Sequence, residues 1–76
     1  MRVAGTVIRN NIRRLRFEHG EMTQQQLADL AGVTRQTIIA VEAAKYAPSL
    51  DLAFRIAEIF GEPLESVFQY GPADKA

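Results

Sequence analysis

Residues 23–45, TQQQLADLAGVTRQTIIAVEAAK, decide the fold of this chain. Thr23 is a favoured N-cap residue and Gln26 follows it at the third position, so the stretch opens with a capping box at the start of a helix. Gly32 interrupts the helical pattern and is expected to take a positive φ where that helix ends. Thr34 can then cap a second helix. The stretch therefore predicts two short helices joined by a tight turn.

Both helices carry apolar residues at helical spacing. In the first helix, four positions are expected to share one buried face: Leu27, Ala28, Leu30 and Ala31. In the second, Ile38 and Val41 lie three residues apart and form one buried stripe. Val33 is expected to fill the corner between the two helices.

The outward face of the second helix suits contact with DNA bases. Thr34, Arg35 and Gln36 lie at its N-terminal end, which is the end that a helix in the major groove uses to read sequence. Arg bonds guanine and Gln bonds adenine through two hydrogen bonds each, whereas Thr can bond a base or a phosphate. Ile39 and Ala40 also face outward, and can either contact thymine methyl groups or weaken specificity. Taken singly, each such residue is more often a solvated helix residue.

The chain resembles the helix-turn-helix domain of lambda repressor/Cro-type (XRE-type) transcriptional regulators. The features that carry the resemblance are Thr23-Gln24, Leu27-Ala28, Gly32, Ile38 followed by Glu42, Pro48-Ser49-Leu50, Ile56-Ala57, Gly61, and the pair Leu64 and Phe68. The resemblance covers roughly residues 10–70 and extends over five elements. It implies an all-α fold, a compact five-helix lambda-repressor-like DNA-binding domain of the stand-alone repressor type. Residues 6–9 and 69–72 can add a small two-stranded sheet from the termini.

The resemblance also implies roles for particular residues. It pairs Arg16 with Glu42 in a partly buried ion pair that fixes the angle of the second helix. It implies that Gln24 bonds a DNA phosphate, and the positive end of the helix that Gln24 opens favours such an anion. The further candidates for phosphate contact are Gln25, Thr37, Lys45 and Tyr46. Relatives usually carry Asn-Gly where this chain has Ala43-Ala44, so the second helix is expected to run longer or to end less sharply.

Helices flank the central stretch on both sides. Asn10 or Asn11 can cap a helix that runs to about His19. Its expected apolar contacts are Ile12, Leu15 and Phe17. A later helix begins after Ser49 and ends at Gly61. Its expected core stripe consists of Leu50, Ala53, Ile56, Ala57 and Phe60. A last short helix is expected, with three side chains that face the core: Leu64, Val67 and Phe68.

Some apolar residues exceed what these stripes need. They are Leu52, Phe54, Ile59, Val67 and Tyr70. Scattered exposed hydrophobic residues are ordinary, but a two-fold dimer patch is the favoured interpretation, because one short helix makes too few base contacts for tight binding. Two-fold dimers read half-sites about 34 Å apart.

Length and composition limit the domain organisation and the classes of function that are expected. The 76 residues predict a single domain over 1–76, with the helix-turn-helix core at about 23–43 and a loose tail at about 71–76. The chain has no cysteine and one histidine, without a cluster of metal-ligating residues, so we expect no metal, no cofactor and no catalytic residue. Nothing resembles a signal peptide or a membrane span, so a cytoplasmic protein is expected.

Charge is unevenly distributed along a chain whose formal net charge is zero. Residues 1–20 hold five arginines and one glutamate, for +4, whereas residues 48–76 hold two basic and five acidic residues, for −3. A folded domain can turn its basic part towards phosphates and its acidic part away.

The pattern thus predicts a sequence-specific DNA-binding transcriptional regulator, a repressor that binds a two-fold symmetric operator as a homodimer. The alternative is a protein-interaction module of the same fold, such as an antitoxin or a co-regulator. An enzyme is not expected, because the sequence offers neither a nucleophile with its base nor a glycine-rich phosphate loop.

Overall fold

A computed structural model describes residues 6–72, which form five helices and two strands. The elements in chain order are β1 (Thr6–Asn10), α1 (Ile12–Glu18), α2 (Gln24–Ala31), α3 (Arg35–Glu42), α4 (Leu50–Phe60), α5 (Leu64–Val67) and β2 (Phe68–Pro72). The predicted five-helix fold with a small terminal sheet is confirmed. Of the loose tail predicted over about 71–76, residues 73–76 lie outside the described part, whereas the first two residues belong to β2.

The helix boundaries follow from the capping residues. Thr23 Oγ1 accepts a hydrogen bond from the backbone N–H of Gln26 at 3.0 Å, and Gln26 Oε1 accepts one from the N–H of Thr23 at 2.8 Å. Gly32 ends α2 with a φ of 74°, in the left-handed region that glycine adopts without strain. Thr34 and Ser49 cap α3 and α4 through their side-chain oxygens. These predicted boundaries are confirmed.

The core lies between the helices, and Phe68 of β2 packs against it. Its largest fully buried side chains are Ile12, Leu27, Ile38, Val41, Ile56 and Val67. The two strands pair antiparallel, so that Ile8 stands opposite Tyr70. Asn11 joins the start of α1 to α5, because its backbone N–H donates to Val67 O at 2.9 Å and its side chain donates to Ser66 O at 2.9 Å.

Three residues expected to be buried lie on the surface. Phe17, Leu30 and Leu50 are 68%, 60% and 67% exposed. Leu30 falls outside the arc that the other apolar residues of α2 occupy, since successive helical residues are about 100° apart. Leu50 is the first residue of α4, at the end of the core stripe. The predicted contribution of these three side chains to the core was therefore wrong.

Two residues predicted for the dimer patch are instead buried. Leu52 is 6% exposed and Val67 is 0% exposed, and both belong to the core of the single chain. Leu52 precedes Ile56 by four residues, so the two share the buried face of α4. Ile59 is partly buried and packs on the core. Only Phe54 and Tyr70 of the predicted patch are exposed, at 54% and 67%.

The helices are all short. The longest, α4, has 11 residues. Within residues 6–72, no helix has the length and apolar character needed to cross a bilayer.

Candidate nucleic-acid interface

The N-terminal end of α3 is open. Thr34, Arg35 and Gln36 are all exposed. Within residues 6–72, neither Arg35 nor Gln36 makes a side-chain hydrogen bond or an ion pair. Their donors and acceptors therefore face solvent, where a base edge or a phosphate can meet them.

The next residues of α3 are less accessible. Ile39 and Ala40 are half-buried, so they face outward but are partly covered by the chain. Thr37 is also half-buried, and its hydroxyl lies 3.0 Å from the hydroxyl of Thr34. The hydroxyl of Thr37 thus supports the Thr34 cap, and it can still form a further hydrogen bond with an outside partner.

An ion pair holds the C-terminal end of α3 against α1. Arg16 Nε donates to Glu42 Oε2 at 2.5 Å, and Arg16 Nη2 donates to Glu42 Oε1 at 3.2 Å. Arg16 Nη1 donates to the carbonyl oxygen of Met22 at 2.7 Å. The two charged side chains are only 15% and 11% exposed. Arg16 therefore connects α1, the segment before α2 and the end of α3.

The glutamines at the start of α2 also have partners. Gln24 Nε2 donates to Glu42 Oε1 at 3.3 Å, so Gln24 joins the ion pair of α1 and α3. An amide nitrogen carries two hydrogens, and the second hydrogen on Gln24 Nε2 has no acceptor among the described residues. Gln25 Nε2 donates to Asp29 Oδ1 at 2.9 Å, along the exposed side of α2.

Asn10 is a supporting residue whose part sequence reasoning missed. Its side-chain oxygen accepts from the N–H of Ile12, the first residue of α1, at 3.1 Å. Its Nδ2 donates to the carbonyl oxygens of Val41 and Glu42, at 3.0 and 3.4 Å. The last carbonyls of a helix lack the regular partner four residues on, and Asn10 donates to two of them at the end of α3. The sequence showed only that Asn10 could cap a helix.

α3 ends sharply despite the missing glycine. Ala44 takes a φ of 60°, the conformation that glycine usually supplies at a helix end. The N–H of Ala44 donates to Val41 O at 3.0 Å, and the N–H of Lys45 donates to Ala40 O at 3.0 Å. These two bonds form a Schellman motif, so the expectation of a longer or looser helix was wrong. Both Lys45 and Tyr46 are exposed just beyond this end.

Arg55 supports the turn between α2 and α3. Its Nη1 donates to Ala31 O at 2.6 Å, at the last residue of α2. Its Nη2 forms an ion pair with Asp51, one turn earlier on α4. The spacing of Asp51 and Arg55 predicts a pair on one helix, but the contact of Arg55 with a carbonyl 24 residues away leaves no local signal in the sequence.

A polar depression of about 500 Å³ lies among α1, α2 and α3. The residues that line it are Arg13, Arg16, Thr23, Gln24, Gln25, Arg35 and Glu42. The structure thus brings together Gln24, Gln25 and Arg35, which sequence reasoning singled out for DNA contact. Tyr46 is not part of this depression and lines a separate surface with Ile8.

The described residues hold no group of three or more side chains suited to a metal ion. His19 instead connects two helices. Its Nδ1 lies 2.9 Å from Leu15 O and its Nε2 lies 3.1 Å from Phe60 O. The ring also packs against the ring of Phe60, with centroids 5.2 Å apart. His19 therefore contributes to the joint between α1 and α4.

Comparison with known proteins places this geometry in a family. A helix-turn-helix family model matches residues 12–67. A protein of Methanocaldococcus jannaschii, described as an uncharacterised HTH-type transcriptional regulator, is 49% identical over 63 residues, which are 83% of this chain and 94% of that protein. A similarly described protein of Methanothermobacter thermautotrophicus is 53% identical over 62 residues, covering 80% of this chain and 88% of that one. YgzD of Bacillus subtilis, also described as an uncharacterised HTH-type transcriptional regulator, is 41% identical over 61 residues, covering 80% of this chain and 91% of that one.

The chain therefore belongs to the XRE-type helix-turn-helix family. It is a transcriptional regulator with a helix-turn-helix DNA-binding domain, and membership of this family makes it a non-enzymatic protein.

Proposed function

We propose that this regulator is a sequence-specific repressor that binds a two-fold symmetric operator as a homodimer. The observation that carries the proposal is the contrast within α3. Arg35 and Gln36 are exposed and unbonded at its N-terminal end, while Glu42 at its C-terminal end is bonded to two other helices. A helix fixed at one end and open at the other can present the same side chains to the major groove at a constant angle.

Base reading is assigned to the open end of α3. Gln36 can bond adenine and Arg35 can bond guanine, each through two hydrogen bonds, and Thr34 can bond either base. Ile39 and Ala40, which are half-buried, present methyl groups one turn further along. Such groups fit beside thymine methyls. The preferred half-site is therefore expected to combine polar readout near one end with thymine further along.

Backbone contacts are assigned to residues around that end. Gln24 keeps one N–H of its amide available for a phosphate while Glu42 holds the other. The further phosphate contacts proposed are Gln25, Thr37, Lys45 and Tyr46. Phosphate contacts position the protein on the duplex without reading its sequence. The proposed compartment is the cytoplasm, in contact with the chromosome.

The dimer is proposed to form on an apolar surface beside the sheet. Ile8, Leu50 and Tyr70 are 37%, 67% and 67% exposed, and all three line one apolar depression of about 410 Å³ together with Pro48. Phe54 follows Leu50 by one helical turn, and is also exposed. We call Ile8, Pro48, Leu50, Phe54 and Tyr70 the apolar sheet surface; it replaces the patch predicted from the sequence.

A second copy of the chain is the proposed occupant of this surface. A single recognition helix contacts only a few base pairs, whereas a two-fold dimer doubles the contacts without a second gene product. A self-complementary apolar surface suits a two-fold interface, since the same residues meet across the axis.

The dimer is tested with Leu50→Glu and a matched control, Leu30→Glu. Both leucines are well exposed, but Leu30 lies on α2, outside the apolar sheet surface. We expect sedimentation velocity to give a dimer for the wild type and for Leu30→Glu, and a monomer for Leu50→Glu. Three dimers would place the interface elsewhere, whereas a monomeric wild type would contradict the proposed homodimer.

The function is tested by selection of bound duplexes from a random library. A dimeric reader should enrich a two-fold symmetric consensus with half-sites about 34 Å apart, or a multiple of that distance. If a folded wild-type chain enriched no sequence, the interaction module of the same fold would become the better interpretation.

A further inference from the structure

The three arginines of α1 have three different environments. Arg16 donates to both carboxylate oxygens of Glu42 through Nε and Nη2, and its Nη1 donates to Met22 O. Arg14 pairs with Glu18 on the exposed side of the helix, at 3.4 Å. Arg13 is exposed, and within residues 6–72 its side chain makes no hydrogen bond or ion pair. Of these three guanidinium groups, that of Arg13 is therefore the one available to an anion from outside the chain.

Arg13 lines the polar depression, facing the start of α2. The lining contains three guanidinium groups, of Arg13, Arg16 and Arg35, and a single carboxylate, of Glu42. Because Arg16 bonds both oxygens of that carboxylate, their charges cancel and the depression retains +2 from Arg13 and Arg35. Such a concave, positively charged surface attracts an anion.

The neutral part of the lining adds hydrogen-bond donors. Glu42 accepts one hydrogen of Gln24 Nε2, which turns the nitrogen of this amide, rather than its oxygen, towards the ion pair. The second hydrogen of that nitrogen stays available to an anion in the depression. Glu42 therefore acts as a positioning residue for Gln24, and Arg13 provides charge beside it.

We propose that Arg13 binds a DNA backbone phosphate in this depression, beside the phosphate donor Gln24. A guanidinium can bind a phosphate through two parallel N–H···O bonds, so the side chain of Arg13 has the chemistry that this contact needs. The inference rests on the proposed function and extends its interface from α2 and α3 to α1. The contact positions the protein and reads no base.

The test compares Arg13→Gln with Arg14→Gln, which removes the same charge from the adjacent residue. Affinity is measured by fluorescence anisotropy for a selected duplex and for an unrelated duplex, over a series of salt concentrations. Loss of one phosphate contact reduces the slope of log affinity against log salt by about 0.9 for each chain bound. Between about 50 and 200 mM salt, the ratio of variant affinity to wild-type affinity should therefore change by roughly 3.5-fold for each chain bound.

We expect Arg13→Gln to show that reduced slope, to lose affinity for both duplexes by the same factor, and to melt like the wild type. Arg14→Gln should keep a slope closer to that of the wild type.

Equal slopes for the two variants would overturn the inference while leaving the proposed function intact. A loss confined to the selected duplex would also overturn it, because that result marks a base contact. Wild-type protein that bound neither duplex would contradict both the proposed function and this inference; binding of an acidic peptide to Arg13 would then be the alternative.

Discussion

The two ends of α3 differ in almost every respect. At the N-terminal end, Arg35 and Gln36 are exposed, and their side chains bond nothing among the described residues. At the C-terminal end, the side chain of Glu42 is bonded to Arg16 and Gln24, and its carbonyl accepts from Asn10. The helix has eight residues, so both situations occur within about 12 Å.

This difference separates stability from specificity. A side chain without partners in the folded chain can be changed at little cost to folding, but it determines what the helix reads. A side chain that joins three elements can be changed only at a cost to folding, although it touches no base. Mutations at the bonded end should therefore lower the free energy of unfolding, whereas mutations at the open end should change the affinity for particular DNA sequences.

The largest effect is expected at the bonded end, from Arg16→Met. This substitution leaves the carboxylate of Glu42, which is 11% exposed, without its charge partner. Breaking a buried pair by removing one partner costs about 3–5 kcal/mol, and the residual exposure here places the expected loss near 3 kcal/mol. The free energy of unfolding is measured by urea denaturation.

The control for this prediction is Arg14→Met. Arg14 and Glu18 are 59% and 49% exposed, so the loss of their pair should cost about 0.5 kcal/mol or less. If Arg16→Met were no more destabilising than Arg14→Met, the bonded end of α3 would not depend on the ion pair.

A smaller effect of opposite sign is expected from Ala44→Gly. Ala44 holds a φ of 60°, where an L-residue with a Cβ is strained by roughly 1–2 kcal/mol. Glycine relieves that strain but loses more chain entropy on folding, so we expect a net gain in stability of about 1 kcal/mol. The measurement is the shift in the urea midpoint.

Ala43→Gly provides the matched control, since Ala43 has a φ of −78°. It should be neutral or destabilising by about 0.5–1 kcal/mol, because no strain is relieved there. Equal shifts for the two variants would mean that the sharp end of α3 stores no strain.

The same contrast explains what the sequence could predict. Capping depends on neighbouring residues, so Thr23, Thr34 and Gly32 could be assigned from the sequence. The exposure of Arg35 and Gln36 could also be predicted, because it depends only on their positions on α3 relative to the buried Ile38 and Val41. The ion pair of Arg16 and Glu42 was predicted from the family resemblance, because no local sequence pattern indicates it.

The remaining features depend on tertiary contacts that the sequence does not encode locally. Asn10 and Arg55 bond backbone carbonyls 31 and 24 residues away, respectively, and any residue type supplies a carbonyl. α4 is apolar on most of its circumference, so periodicity could not distinguish the buried Leu52 from the exposed Leu50 and Phe54. The sharp end of α3 was not predicted because alanine disfavours a positive φ, whereas the structure combines that φ at Ala44 with two backbone hydrogen bonds.

The most direct test of the separation is the specificity profile of Gln36→Ala. Affinities of the wild type and the variant are measured for the selected consensus duplex and for every single-base change within one half-site, together with the free energy of unfolding. We expect the variant to lose about 1–3 kcal/mol of discrimination at one position of each half-site, with the free energy of unfolding unchanged within about 0.5 kcal/mol. An unaltered profile, or a loss of stability comparable to that of Arg16→Met, would contradict the assignment of base reading to the open end of α3.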